Sequence, residues 1–539
     1  MPPGTNTSAP VRSRPAPAFA TLRVCFPVLL AASLLLTGCQ AIHYSKVREP
    51  SWQLSSPRNS PQDQLYAEAC ERHPGQTGFR ILTYGPEALL ARASIVDTAT
   101  HTLDLQYYIF DPDKVGHTMI QRLLEAADHG VRVRILLDDN NQGNDRPLII
   151  LSAHPNISVR IFNPFRYRAR WLRIPQYLTD LARVNRRMHN KVLIADNRLA
   201  ILGGRNIGEN YFDISESNNF RDFDLFMAGP LVTDASAAFD DYWNSPWAIP
   251  AEDLAQSSVT QEELDLFRRK HAEWVLEAPD DRSKYTSLRN EYTRQVLDRP
   301  EDLVWATGRL FWDPPGKMQV TTEDTTPVAL RLDREMKDCN TECLIEEGYF
   351  IPGDDGMVQI KELRKRGVTV HVLTSALEAT DQPLVYSAYR RYRQELLESG
   401  VELNEYKLHA RIPPAKKRWF HTRKAPSSLH SKVMVFDHER IWIGSFNYDS
   451  RSVRYNTEIA ALIDSPKLAE QLSSLINEGC RPEASWKVLL DKSTHPPRLL
   501  WQGEENGEDT TLLHEPSRGW WHRFRVRLYS MVPGIEDLL

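Results

Sequence analysis

His189-Asn190-Lys191-Val192-Leu193-Ile194-Ala195-Asp196 and, 241 residues on, His430-Ser431-Lys432-Val433-Met434-Val435-Phe436-Asp437 are two copies of one pattern. Each copy runs six further residues to a glycine, giving Gly203-Gly204-Arg205-Asn206 and Gly444-Ser445-Phe446-Asn447. His and Lys two apart on an extended chain point to one face. The apolar run between Lys and Asp reads as a strand, and Asp-Asn-Arg at 196–198 and Asp-His-Glu at 437–439 are turn signals. A hairpin returning through Ala200-Ile201-Leu202 or Ile441-Trp442-Ile443 brings Asn206 or Asn447 back toward the His/Lys end.

The repeat extends outward. Leu103-Asp104-Leu105-Gln106-Tyr107-Tyr108 and Cys343-Leu344-Ile345-Glu346-Glu347-Gly348-Tyr349 read as matching strands, with Tyr108 and Tyr349 again 241 apart. Helices are predicted at 119–129 and 358–366, stopped by Gly130 and Gly367, and β-branched strands at 131–137 and 368–373. Strand, helix, strand implies a right-handed crossover and a parallel pair. The chain therefore reads as two α/β lobes from one duplicated unit.

One His, Lys and Asn trio suits a phosphate: Lys brings charge, Asn a neutral donor, and His can attack phosphorus or move a proton near neutrality. Transfer through a covalent step needs a nucleophile and a general acid, which two facing trios supply. Aligning Gly229-Pro230 with Ser465-Pro466 pairs Asp222 with Glu458. A carboxylate there can accept from an imidazole and fix its tautomer. A single His-x-Lys-x₄-Asp is a weak signal; two copies with equal gaps to Gly-x-x-Asn are a strong one.

The paired motif resembles the HKD signature of the phospholipase D superfamily, over about residues 80–480. Glu347-Gly348-Tyr349-Phe350-Ile351-Pro352-Gly353, Thr374-Ser375-Ala376-Leu377, Thr380-Asp381, Tyr389-x-x-Tyr392-Arg393 and Asp313-Pro314-Pro315-Gly316-Lys317 are similar to bacterial C-type cardiolipin synthases. The resemblance implies a duplicated α/β/α sandwich, its two pseudo-symmetric lobes sharing one active site. It also implies a phosphohistidine intermediate with no cofactor and no metal. The catalytic set is then His189, Lys191, Asp196, His430, Lys432 and Asp437. By family habit His189 is the nucleophile and His430 the general acid, an order that the residues alone leave reversible. Lys191, Lys432, Asn206 and Asn447 would hold phosphate, Asp222 and Glu458 orient the histidines, and Asp196 and Asp437 serve structurally from their turns. Two departures stand out: Gly204 occupies a position where the family usually shows Ser, and Tyr386 one where it often shows His.

The rest of the chain sets the context. Its 539 residues imply more than one domain, and 41% hydrophobic with 25% charged residues is a globular balance. A net charge of −5 leans against nucleic-acid binding, and no nucleic-acid partner is expected. Arg12, Arg14 and Arg23, the short apolar run 24–36 and Leu36-Thr37-Gly38-Cys39 resemble a bacterial lipoprotein signal. Cleavage after residue 38 would leave Cys39 acylated, and Gln40 resembles an outer-membrane sorting signal. The expected location is thus the cell envelope, lipid-anchored and facing the periplasm. Of the cysteines beyond Cys39, Cys70, Cys339, Cys343 and Cys480 allow disulfides whose pairing is open. The expected organisation is a tether at 39–80, lobes at 81–300 and 301–490, and a tail at 491–539 that reads either as membrane-interfacial or as a helix packed on a lobe. Basic and aromatic stretches at 165–187 and 416–424 lead into the two motifs and are expected to rim the cleft, facing anionic headgroups. The expected function is a phosphatidyltransferase of cardiolipin synthase type acting on phospholipids. The alternatives are hydrolysis to phosphatidic acid and a phospholipase D-type nuclease.

Overall fold

The computed structural model describes residues 48–57, 61–140, 144–168, 170–254, 258–276, 290–293, 297–319, 327–411 and 425–531. The leader with Cys39, and Lys416 to Lys424 of the second basic stretch, lie outside the described residues.

Each lobe is built on a mixed sheet with the same strand order. In the first it runs Thr77–Leu82, Asp224–Ala228, Leu199–Gly203, Val192–Ala195, Thr102–Tyr107, Arg132–Asp138, Ile157–Phe162, Ala248–Pro250. In the second it runs Val304–Trp312, Ile459–Asp464, Arg440–Gly444, Lys432–Phe436, Glu342–Glu347, Thr369–Ser375, Glu402–Tyr406, Ser485–Asp491. Only the crossover pairs at the centre are parallel, Thr102–Tyr107 with Arg132–Asp138 and Glu342–Glu347 with Thr369–Ser375 among them, as the strand-helix-strand reading requires. Thr77–Leu82 pairs antiparallel with Val304–Trp312 and joins the two sheets edge to edge.

The crossover helices, Lys114–Asp128 and Gly353–Lys365, begin ahead of the expected starts at 119 and 358. Asp113 caps the first by accepting from Val115 N and Gly116 N at 3.0 Å. Gly130 and Gly367 follow the helix ends at φ 90° and 87°, a conformation that disfavours any residue with a Cβ. Each lobe has an outer core under its crossover helices. A third core lies between the sheets. There Phe239 and Trp243 of helix Pro230–Trp243 and Leu468, Leu472 and Ile476 of helix Pro466–Gly479 pack with Val192, Leu202, Val433 and Ile443. At about 1.5–3 kcal/mol per large buried apolar side chain, this shared core makes the lobes one cooperative body.

The first sheet opens at Thr77, ahead of the boundary expected at residue 81. The stretch after 490, expected as a tail, instead adds strands Arg498–Glu505 and Glu508–Leu512 to the second sheet and ends in helix Trp520–Tyr529.

Candidate active site

The hairpins form as read. Asp196 and Asn197, and likewise Asp437 and His438, all have φ between 49° and 58°, with Arg198 N bonded to Ala195 O and Glu439 N to Phe436 O at 3.0 Å. Both central residues at positive φ make a type I′ turn, which Asp and Asn tolerate. The motif aspartates do not reach the histidines. Asp196 accepts from Thr100 N, His101 N and Thr102 N at 2.7–2.8 Å. Asp437 likewise accepts from Asn340 N at 2.9 Å and Thr341 N at 2.7 Å. They tie each hairpin turn to the start of the neighbouring strand, and the catalytic grouping loses them to that task.

The histidines sit at the other end, and each is held by the opposite lobe. The short strand Asn219–Arg221 of the first lobe pairs parallel with Ser427–Leu429 of the second, so that His430 N bonds to Arg221 O at 2.9 Å. The next residue, Asp222, accepts from His430 Nδ1 at 2.7 Å. The second contact mirrors this. Met188 bridges Thr457, His189 N bonds to Thr457 O at 2.9 Å, and Glu458 lies 3.0 Å from His189 Nδ1. The sequence paired Asp222 with Glu458 by position; the structure crosses them, each orienting the histidine of the other copy. With Nδ1–H donating to a carboxylate, each Nε2 is left to face a substrate.

Both imidazoles are nearly buried, at 6% and 5% exposed. Burial and the nearby Lys191 and Lys432 ammoniums push His189 well below the usual imidazole range. Burial and Lys432, opposed by Asp222, lower His430 to about 4. Burial also drives Lys191 well below the ordinary lysine range. Each ammonium donates to the carbonyl of its own motif histidine, Lys191 to His189 O and Lys432 to His430 O. The ring of Tyr108 lies 5.4 Å from Lys191 Nζ and edge-on to His189 at 5.0 Å; Tyr349 stands to Lys432 and His430 in the same way, at 5.7 and 5.8 Å.

The two carboxylates differ. Burial raises both, but the hydrogen bond and charge of His430, with Lys432, bring Asp222 below its ordinary value. Glu458 stays pushed up to about 7 by burial, although Lys191 and the hydroxyls of Ser445 and Ser452 lower it. Those hydroxyls donate to it at 2.5 and 2.9 Å. The same contrast accounts for Gly204. A Cβ at that position would stand 2.2 Å from Asp222 Oδ1, so the shorter carboxylate fills the volume that Ser445 occupies in the other half-site.

The asparagines are placed beside the site but engaged differently. Asn206 accepts from Ile109 N at 3.0 Å and donates to Tyr211 OH at 2.9 Å, so part of its amide is committed to the scaffold. Asn447 is buried with its Oδ1 unpartnered. Tyr386, at the position noted as a departure, is away from the histidines: it donates to Glu515 at 3.0 Å and accepts from Arg393 at 2.8 Å. The first basic stretch is not an open rim either. Arg168 pairs with Asp139 and Asp145, Arg183 with Asp180, and Arg187 with Asp138; Arg186 donates to Lys317 O and Arg454 O.

Several residues outside the two motifs complete the site. Tyr211 and Phe220 enclose His430 at 5.3 and 5.1 Å. Asp313 accepts from Glu458 N at 3.1 Å and from Lys317 Nζ at 2.9 Å, which fixes the Glu458 backbone. The sequence singled out the Asp313 to Lys317 stretch by resemblance without giving it this role; Tyr211 and Phe220 offered no signal.

Two imidazoles on a duplicated lobe, each oriented across the lobe interface and flanked by a lysine, define a phospholipase D-type enzyme. Residues 93–243 and 332–478 match the family described as cardiolipin synthase, PLD-like domain, and the chain belongs to that family. It is 36% identical to cardiolipin synthase C of Escherichia coli (strain K12) over 471 residues, 87% of this chain and 98% of that protein. It is also 32% identical to an uncharacterized protein of Helicobacter pylori (strain ATCC 700392 / 26695), covering 89% of this chain and 92% of the relative. Phosphatidylserine synthase of Haemophilus influenzae Rd KW20 superposes with a TM-score of 0.55 at 11% identity, over 88% of this chain and 100% of that one, a likeness of fold.

Proposed function

We propose that the protein transfers phosphatidyl groups between phospholipids, as a cardiolipin synthase does, through a phosphohistidine. The observation that carries this is the crossed pairing: each Nδ1 is held by a carboxylate from the opposite lobe, which leaves each Nε2 available to a phosphodiester. In the first step His189 Nε2 attacks phosphorus while His430 Nε2 protonates the departing alcohol. In the second, an acceptor hydroxyl passes its proton to His430, its oxygen bonds to phosphorus, and the bond to His189 breaks. The unequal carboxylates support that order. Ionised Asp222 at 2.7 Å opposes the lowering of His430 by burial and Lys432, which suits it to take up a proton as the acid once an anionic substrate is bound, whereas Glu458 shares its charge with two hydroxyls and leaves His189 neutral, the nucleophile. Lys191 and Lys432 are suited to hold the non-bridging oxygens.

Labelled phosphatidylglycerol and, separately, phosphatidylethanolamine incubated with wild type and His430→Ala test the reading. Wild type should form a diphosphatidyl product that the variant does not. Phosphatidic acid in its place would assign water as the acceptor, and no lipid product from either donor removes the proposal.

We also propose that the protein is lipid-anchored through Cys39 in the bacterial envelope, at the outer membrane facing the periplasm. The leader pattern at 24–39 supports this. No helix among the described residues is long and apolar enough to cross a membrane. Loss of acyl labelling in Cys39→Ser is the expected result; retained labelling would overturn it.

A further inference from the structure

A cavity of about 570 Å³ opens between the Thr380-Asp381 loop and the C-terminal helix Trp520–Tyr529. That volume lies within the roughly 300–1,000 Å³ of small-molecule sites. Its inner wall is Asp381, which accepts from Tyr349 OH at 2.8 Å; the Tyr349 ring in turn lies edge-on to His430. The cavity thus reaches within one side chain of the proposed general acid, on the second-lobe side of the site.

The opposite wall has another character. Arg518, His522 and Arg525 line it together with Trp520 and Trp521. Arg518 Nε is anchored on Glu378 O at 2.7 Å and Arg525 donates to Tyr529 OH at 3.4 Å, and no ion pair of either is found among the described residues. Beyond them Trp520, Phe524 and Leu528 repeat at helical spacing as an exposed apolar stripe. The helix is not a loose tail. Glu515, just before it, bonds to Arg393 at 2.5 Å and Tyr386 at 3.0 Å, and Arg391 donates to Ser530 O at 2.7 Å at its far end. Three chemistries therefore follow one another outward from His430: a hydroxyl-binding carboxylate, unpaired guanidiniums, and an aromatic and aliphatic face. A phospholipid with a hydroxylated headgroup carries the complementary sequence of hydroxyl, phosphate and acyl chain.

Resting on the transferase reading, we infer that this cavity is the acceptor subsite: it takes the headgroup of a second, anionic phospholipid, its hydroxyl at Asp381 and its phosphate between Arg518 and Arg525. A second hydroxyl of the same headgroup, on the His430 side of Tyr349, then passes its proton to His430 Nε2 as its oxygen bonds to phosphorus and the bond to His189 breaks.

The test is Arg518→Gln/Arg525→Gln in the full-length protein, with a short-chain phosphatidyl p-nitrophenyl ester as donor. Three acceptors are compared: vesicular phosphatidylglycerol, soluble glycerophosphoglycerol, and glycerol, which has no phosphate. Transfer to both phosphate-bearing acceptors should fall at least tenfold relative to transfer to glycerol, through a higher KM. Equal change for all three overturns the inference, with the transferase reading left standing. A loss confined to vesicles also overturns it and reassigns the arginines to holding the membrane. Wild type that releases nitrophenol but forms no transfer product with any acceptor removes the transferase reading and this subsite together.

Discussion

Asp222→Asn changes one atom at the centre of the proposed chemistry, and the structure fixes how the new amide must lie. Phe223 N donates to Asp222 Oδ1 at 2.8 Å, so the amide oxygen stays there. The amide nitrogen then faces His430 Nδ1, where the carboxylate oxygen lies 2.7 Å away in the native protein. It donates to Nδ1 and locks the proton on Nε2. An imidazolium would set two N–H groups against each other in a buried site. Loss of a charge-assisted hydrogen bond costs about 1.5–3 kcal/mol, and the mismatched donor about 1–3 kcal/mol more. Turnover of phosphatidylglycerol should therefore fall about 10²- to 10⁴-fold, at 1.36 kcal/mol per decade. A phosphatidyl p-nitrophenyl ester separates the two steps, because its leaving group departs without a proton. The variant should release about one equivalent of nitrophenolate in a fast first turnover and then stall, since His430 can no longer take the acceptor's proton. Loss of the burst in proportion to the loss on phosphatidylglycerol would assign His430 as the nucleophile and refute the order. A loss below about fivefold on the natural donor would refute the orienting role of Asp222 altogether.

Oxyanion binding should take up protons. In the empty cleft burial and Lys432 hold His430 at about 4, so it is neutral at pH 6. An anion beside the two lysines offsets their charge and raises that value, so tungstate binding at pH 6 should absorb on the order of one proton. Calorimetry in two buffers of different ionisation heat measures this, and zero uptake or release would contradict it. Asp196→Ala should lower stability by about 2–4 kcal/mol, because three backbone N–H groups lose their acceptor. Urea unfolding measures that loss, and kcat per folded molecule should stay within about twofold; a hundredfold fall in kcat at full stability would return Asp196 to the catalytic set.

The repeat made much of this legible. A strand pattern, a glycine stop and a second strand, found twice at one offset, specify the crossover and hence the lobe, because local signals and topology agree there. The hairpin turns were readable for the same reason: Asp-Asn and Asp-His suit positive φ wherever they fall. The contacts that complete the site were not readable. No local signal says that Glu458 will face His189 rather than His430; that choice depends on the bridge of Met188 to Thr457 across the lobes, as the mirrored contact depends on Asn219–Arg221 with Ser427–Leu429. Tyr211 and Phe220 reach His430 through the same non-local packing. The arginines before the first motif illustrate the converse error: a dense run of charge reads as a solvated rim, yet Asp138, Asp139, Asp145 and Asp180, distant in sequence or masked by ordinary neighbours, neutralise most of it.

The crossing also constrains how the duplication could diverge. A lobe by itself has a histidine without its carboxylate and a carboxylate without its histidine, so neither half-site is complete until both lobes close. Each can nevertheless change its own orienting apparatus, because the carboxylate and the residue packed against it belong to one lobe: Asp222 with Gly204, Glu458 with Ser445. A substitution in that pair retunes the histidine of the other lobe and leaves its own alone. Two imidazoles that began as equivalent copies can in this way take unequal proton affinities while the motifs that contain them stay the same. That inequality is what a reaction needing one nucleophile and one acid requires.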